Sequence, residues 1–200
     1  MKKNKIEVIS GKGTFLSANT IEVEEKTGNK ISVESKDIII ASGAGYRTFP
    51  GLEHDGKRLI GAWEALAVEK LPKSVGIVGA GAIGVEFAYF WNAFGVDVHI
   101  FEMMPNLLPI EDTDSSLELQ KAYKKYGIKM SLGVEKVSAK NNGSDVTINC
   151  VENGKSTNYK FEMGLIAVGM TGNIQNFGLE KIGVQTDRGF IKVNESFQTN

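Results

Sequence analysis

The sequence has few residues of the kinds that build thiol, disulfide and metal sites. Its 200 residues include one cysteine, Cys150, and two histidines, His54 and His99. A single cysteine excludes an internal disulfide, a dithiol redox pair and a cysteine-based zinc site within these residues. Two histidines leave too few ligands for a histidine-bound metal. We therefore expect no metal site, and we interpret Cys150 as a small structural side chain.

An excess of charge of either sign is also lacking. The 23 lysines and arginines balance 24 aspartates and glutamates, for a formal net charge of −1. This balance excludes the broad basic surface of a non-specific nucleic-acid binder. No apolar run approaches the roughly 20 residues of a membrane span, and no apolar signal core follows the basic residues 1–5. We therefore expect a cytoplasmic chain without nucleic-acid or membrane partners.

The first part of the chain has the pattern of β-structure. Segments that alternate apolar and polar residues, at 6–9, 21–24 and 30–33, predict strands of a half-buried antiparallel sheet. The continuous apolar run 37–41 predicts a strand that is buried on both faces. A helical stretch is expected near 62–69.

From Ser74 onward, buried strands alternate with helices. In chain order the predicted elements are 75–78, 82–94, 97–101, 115–126 and 129–132. This alternation predicts right-handed crossovers and a Rossmann-like parallel sheet. Alternating segments separated by Asn142-Gly143 and Asn153-Gly154 predict a three-stranded antiparallel insert before a last buried strand at 165–168. The expected fold class is α/β, flanked by β-rich segments.

Glycine is abundant, at 23 residues, and one glycine-rich turn stands between a predicted strand and a predicted helix. It reads Gly79-Ala80-Gly81-Ala82-Ile83-Gly84. Gly79 permits the tight turn, Gly81 lets a pyrophosphate approach the backbone, and Gly84 lets the helix pack close to the strand. The helix N-terminus then faces the phosphates. The turn predicts a dinucleotide site; the alternative is a turn that packs the helix without a ligand.

An acidic residue stands where such a site needs one. Glu102 ends the predicted strand 97–101 and lies 18 residues after Gly84. A carboxylate there can accept hydrogen bonds from both ribose hydroxyls of an adenosine and repels a 2′-phosphate. Its neighbours Met103, Met104 and Pro105 carry no positive charge. We therefore expect NAD(H) rather than NADP(H).

Together these residues resemble the dihydrolipoamide dehydrogenase family, within the flavin- and pyridine-nucleotide-dependent disulfide oxidoreductases. The resemblance covers nearly the whole chain. The segments that carry it are 79–88, Phe101-Glu102, Leu107-Leu108-Pro109-Ile110-Glu111-Asp112, Ile38-Ile39-Ile40-Ala41-Ser42-Gly43, Leu165-Ile166-Ala167-Val168-Gly169, and 190–200.

The resemblance implies an enzyme that oxidises dihydrolipoamide to lipoamide through a redox disulfide and FAD and reduces NAD⁺. It implies that residues 1–49 are part of an FAD domain, 50–172 an NAD-binding domain, and 173–200 a return segment. The family's FAD motif, redox cysteines, acid/base histidine and dimerisation domain are expected outside this chain. We therefore expect the 200-residue chain to be inactive alone. A homodimer and subunits of a 2-oxo acid dehydrogenase complex are the expected partners of the parent.

The family's cofactor contacts transfer by resemblance to the positions of this sequence that match them. The glycine turn, with Ala82 and Ile83, is expected at the pyrophosphate and nicotinamide, and Gly169 near the nicotinamide. Val137 is expected at the adenine, whereas Glu86 and Gly43 match positions beside the flavin.

One departure and several alternatives remain open. Met170-Thr171-Gly172-Asn173 stands where the family usually has Arg-Arg-Pro-Asn, which leaves the conformation of that loop open. A related NADH or disulfide oxidoreductase, a non-catalytic NAD-binding module, and a structural domain without nucleotide are the alternative functions.

Overall fold

The computed structural model describes residues 2–200, which divide into two compact units. The first takes in the described residues up to Gly45 together with Met170–Asn200, and the second is Tyr46–Gly169. The assignment of residues 50–172 to NAD and of the outer segments to FAD stays a prediction. No described helix is long and apolar enough to cross a membrane.

The first unit consists of short strands. After a 3₁₀ turn at Lys2–Asn4, the chain forms β1 (Lys12–Ser17), β2 (Thr20–Glu24), β3 (Lys30–Glu34) and β4 (Ala44–Tyr46). Strands β1, β2 and β3 form an antiparallel sheet in that order. The predictions at 21–24 and 30–33 are therefore confirmed.

The second unit contains the elements of the predicted α/β alternation. They are β5 (Leu59–Ile60), α1 (Ala62–Leu66), β6 (Ser74–Val78), α2 (Ala82–Ala93), β7 (Asp97–Glu102), α3 (Thr113–Tyr126), β8 (Lys129–Leu132), β9 (Glu135–Asn141), β10 (Val146–Glu152), β11 (Lys155–Phe161) and β12 (Met163–Ile166). Strands β5-β12-β6-β7-β8 form a parallel sheet in that order, and β11-β10-β9 form an antiparallel sheet. The predicted fold class is confirmed.

The chain then returns to the first unit through three short strands. They are β13 (Met170–Gly172), β14 (Thr186–Asp187) and β15 (Phe190–Ile191). Strand β13 lies beside β4, and β14 pairs with β15.

The parallel sheet separates two apolar cores. On one face, Val75, Ile77 and Ile100 are buried with Trp91 of α2 and Tyr123 of α3. Burial of each such side chain contributes about 1.5–3 kcal/mol. The Tyr123 hydroxyl donates to the Val85 carbonyl at 2.7 Å and ties the two helices together.

The antiparallel insert covers the other face. Here Val78 and Phe101 of the sheet pack with Ile148, Cys150 and Phe161 of the insert. Alternation along β10 explains this contact, since Val146, Ile148 and Cys150 are buried and the residues between them are half-buried. Cys150 therefore has the structural place that the sequence predicts.

Two strand predictions in the first unit are wrong. Residues 6–9 form no strand, and Ile6 and Val8 are exposed, whereas β1 forms at Lys12–Ser17 and pairs with β2. Residues 37–41 form no strand either, and the Ile39 side chain is 92% exposed. A strand needs a hydrogen-bonded partner in a sheet, and no strand of the described residues pairs with either segment. The predicted helix at 62–69 is shorter, ending at Leu66.

Candidate functional site

The glycine turn connects β6 to α2, and Gly79 begins it. The Gly79 φ angle is +100°, a left-handed conformation that glycine adopts without strain. A Cβ atom at Gly79 would overlap the backbone carbonyl of Ala167, which directly follows β12. The Gly79 N–H donates to the Phe101 carbonyl at 2.8 Å. These contacts fix the start of the turn between the ends of β12 and β7.

The other two glycines of the turn meet opposite surroundings. A Cβ atom at Gly84 would overlap the Gly79 carbonyl oxygen, so α2 packs directly on the turn. A Cβ atom at Gly81 would meet no atom within 4 Å. The turn is therefore closed on its protein side and open at Gly81, where a ligand group can approach the backbone.

Helix α2 begins at this open corner. Its first backbone bond runs from the Val85 N–H to the Gly81 carbonyl at 3.1 Å. The N–H groups of Ala82, Ile83 and Gly84 precede that bond and have no acceptor within the helix. They stand at the positive end of a 12-residue helix dipole. This geometry suits an anion such as a diphosphate.

Glu102 lies at the end of β7 and reaches the same turn. Its half-buried carboxylate accepts the Ala80 N–H at 2.7 Å through Oε2 and the Met104 N–H at 2.8 Å through Oε1. An ionised carboxylate offers about four acceptor sites, so each oxygen keeps capacity for a further hydrogen bond. The structure thus brings Glu102 to the glycine turn, as the sequence predicts.

Ala80 and Leu108 are neighbours in this site that the sequence did not single out. The Leu108 N–H donates to the Ala80 carbonyl at 2.8 Å. Leu108 has a φ angle of +48°, which a branched side chain rarely adopts. No propensity or spacing signal predicts a left-handed leucine.

The remaining predicted residues of the second unit lie on three different elements. Val137 is half-buried on β9 and packs against the core that contains Phe101. Gly169 has a φ angle of +109° and its carbonyl accepts the Arg47 N–H at 3.0 Å. Glu86 is exposed on α2 and borders, with Ile83, an apolar groove of about 460 Å³ between α1 and α2.

Gly43 lies in the first unit. It has a φ angle of +76°, and its carbonyl accepts the Asn173 N–H at 3.0 Å. The departure at residues 170–172 forms strand β13, whose Gly172 N–H donates to the Gly189 carbonyl at 3.0 Å. The loop without the two arginines and the proline is therefore held by backbone hydrogen bonds.

Two buried titratable side chains, His99 of β7 and Cys150 of β10, have environments that fit a structural role. Burial lowers the pKa of His99 to about 4, and its Nε2 lies 2.9 Å from the Ser131 hydroxyl. Burial also raises the pKa of Cys150 to about 11, which keeps the thiol protonated and unreactive at neutral pH. Among the described residues, no cluster of histidine, cysteine, aspartate and glutamate is suited to hold a metal ion.

Comparison with known proteins identifies relatives over the whole chain. A family model described as pyridine nucleotide-disulphide oxidoreductase matches residues 1–200. A dihydrolipoyl dehydrogenase of Zymomonas mobilis is 39% identical over 202 residues, covering 100% of this chain and 43% of the relative. One from Mycobacterium bovis is 41% identical over 201 residues, with the same coverages. The chain thus spans less than half the length of these relatives.

Solved structures share the fold. LpdA from Mycobacterium tuberculosis superposes with a TM-score of 0.87 at 24% identity, covering 99% of this chain and 44% of that one. The HOCl-induced flavoprotein disulfide reductase RclA from Escherichia coli superposes with a TM-score of 0.78 at 25% identity, covering 97% of this chain and 43% of that one.

Proposed function

The chain belongs to the pyridine nucleotide-disulphide oxidoreductases, and from this premise we propose that its second unit binds NAD(H) as part of a dihydrolipoamide dehydrogenase. The observation that carries the proposal is the open corner at Gly81. Here the backbone is accessible, the first turn of α2 presents N–H groups, and an acidic side chain stands beside the turn.

The residues of this corner fit a dinucleotide. Gly79, Gly81 and Gly84 shape the surface for the diphosphate, and the N–H groups of α2 donate to it. Glu102 accepts hydrogen bonds from the ribose hydroxyls and disfavours a 2′-phosphate, so NAD(H) binds in preference to NADP(H).

The other predicted residues complete the proposed cofactor contacts. Val137 lines the adenine side. Ala82, Ile83 and Gly169 border the nicotinamide side. Glu86 and Gly43 take places beside the flavin of the complete enzyme.

In the complete enzyme, a redox disulfide and FAD would supply the chemistry that oxidises dihydrolipoamide to lipoamide, and NAD⁺ would serve as the final electron acceptor. The contribution of this chain is to bind and orient the nicotinamide cofactor. Since its sequence has a single cysteine, we propose that the 200-residue chain binds NAD(H) but does not turn over dihydrolipoamide. The parent is proposed to act in the cytoplasm as a homodimer, with subunits of a 2-oxo acid dehydrogenase complex as partners.

Titration of the chain with NADH tests this proposal. The wild-type chain should bind NADH, and Gly81→Ala should weaken binding about tenfold or more because a methyl group then occupies the open corner. Its thermal unfolding should stay unchanged, because the new Cβ meets no atom within 4 Å and the Gly81 φ angle is −70°. Equal NADH affinity of wild type and variant would contradict the proposed site.

An activity assay separates this proposal from its alternatives. Turnover of dihydrolipoamide by the 200-residue chain would overturn the proposed division of the enzyme. Absence of any NADH binding would favour a structural domain.

A further inference from the structure

We propose that Glu102 couples ribose binding to diphosphate binding, because its carboxylate holds the glycine turn in the conformation that receives the diphosphate. This inference rests on the proposed nucleotide function and assigns Glu102 a positioning role in addition to its contact with the ribose. Glu102 exerts this effect through the Ala80 backbone.

The first support is the hydrogen bond between the Glu102 Oε2 atom and the Ala80 N–H, at 2.7 Å. Ala80 is fully buried, so solvent cannot replace this acceptor. A hydrogen bond between an N–H group and an ionised carboxylate is about twice as strong as a neutral one. Removing the carboxylate would leave a buried N–H without a partner, which favours rearrangement of the turn.

The second support is that the same short segment holds both backbone groups of Ala80. While Glu102 accepts the Ala80 N–H, the Leu108 N–H donates to the Ala80 carbonyl at 2.8 Å. The peptide units on both sides of Ala80 therefore have fixed orientations. Gly81, whose backbone a ligand can approach, directly follows Ala80. The orientation of Gly81 therefore depends on the two hydrogen bonds that hold the Ala80 backbone.

The third support is the fixed position of the carboxylate itself. The Met104 N–H holds its Oε1 atom at 2.8 Å, and the Val134 N–H donates to the Glu102 carbonyl at 3.1 Å. The side chain is thus anchored before any ligand binds. A ribose that adds hydrogen bonds to this carboxylate stabilises the arrangement that holds Ala80. Because coupling between two sites is reciprocal, a bound diphosphate then favours ribose binding as well.

The two roles of Glu102 can be separated with a nucleotide that has no ribose hydroxyls. ADP carries the adenine, the diphosphate and both ribose hydroxyls. The analogue 2′,3′-dideoxy-ADP carries the same adenine and diphosphate but lacks the two hydroxyls. If Glu102 only recognises the ribose hydroxyls, its substitution leaves the affinity for 2′,3′-dideoxy-ADP unchanged. A residue that also positions the turn affects both ligands.

The experiment measures the dissociation constants of ADP and 2′,3′-dideoxy-ADP by NMR titration of the full chain. Glu102→Ala should weaken binding of the dideoxy nucleotide about tenfold and binding of ADP by a larger factor. Glu102→Gln, which keeps the shape but has one acceptor oxygen for two N–H groups, should weaken the dideoxy nucleotide by a smaller factor. Glu69→Gln, at an exposed glutamate of the same unit, is the matched control and should leave both constants within twofold.

The outcomes are distinguishable. If the Glu102 variants weaken ADP but bind the dideoxy nucleotide as the wild type does, the coupling is wrong and the proposed NAD(H) site stands. If the wild type binds neither nucleotide, the proposed function fails and the coupling with it. Should Glu102→Ala fail to fold, Glu102→Gln decides, and hydrogen exchange of the Ala80 amide in the wild type gives a mutation-free measure. That amide should be strongly protected without ligand, and rapid exchange would overturn the proposal.

Discussion

The two units of the chain bury their apolar residues to very different extents. In the second unit, a five-stranded parallel sheet is covered by helices on one face and by the antiparallel insert on the other. In the first unit, Ile39 and Phe197 are 92% and 86% exposed and border an apolar groove of about 740 Å³. The proposed nucleotide site therefore lies on the unit that has an extensive apolar core of its own.

The largest expected effect compares the same substitution in both units. Ile77→Ala removes a side chain that is fully buried in the second unit, and we expect a loss of about 3–4 kcal/mol of unfolding free energy. Ile39→Ala removes an exposed one and should change it by less than about 0.5 kcal/mol. Circular dichroism follows denaturation of the whole chain for both variants, and tryptophan fluorescence follows the second unit, which contains Trp63 and Trp91. Similar losses for the two variants would break the comparison.

A second prediction uses the buried histidine of the second unit. Burial lowers the pKa of His99 from its ordinary value of about 6.5 to about 4, so the unfolded chain binds this proton more tightly. The stability contributed by the neutral ring is therefore complete above about pH 6.5 and is lost as pH falls toward 4. The loss is at most about 3 kcal/mol.

The measurement is denaturation of the wild type and His99→Phe across this pH range. The variant keeps an aromatic ring beside Phe101, which stacks on His99 at a centroid distance of 4.3 Å, but has no titrating group. Its stability should fall less steeply than that of the wild type. Parallel pH profiles would show that His99 contributes nothing to the acid sensitivity of the second unit.

A third and smaller effect concerns the backbone strain at Leu108 in the second unit. Leu108→Gly and Leu108→Ala remove nearly the same side chain, but only glycine relieves the φ angle of +48°. We expect the glycine variant to be about 1 kcal/mol more stable than the alanine variant. Thermal unfolding of the pair measures this difference, and an alanine variant of equal or greater stability would contradict strain at Leu108.

The sequence predicted best the parts of the fold that local patterns determine. The hydrophobic pattern changes clearly from that of a buried strand to that of a helix across β6, the glycine turn and helix α2. Glu102 then follows at the spacing that a strand–helix–strand crossover requires. The strand prediction at 37–41 is wrong because a continuous apolar run shows only that the residues avoid water. It does not show whether a neighbouring strand is present to pair with them.

The details of the site depend on tertiary contacts that no periodicity encodes. The hydrogen bond from Ala80 to Glu102 joins the glycine turn to the end of β7 and depends on a side-chain rotamer. The left-handed Leu108 runs against its own backbone preference, so propensity argues against it. The cofactor contacts that the resemblance implies stay predictions, and the resemblance does not indicate how the backbone of Ala80 is held.

The hydrogen bond between the Arg47 N–H and the Gly169 carbonyl has a consequence for protein engineering. It brings the beginning and the end of the second unit, Tyr46–Gly169, close together, so the chain enters and leaves that unit at neighbouring positions. A segment with adjacent termini can be transplanted into a surface loop of a host protein with little distortion of either partner. Residues 46–169 are therefore suited to insertion into a host protein, because two neighbouring peptide connections join them to the rest of the chain.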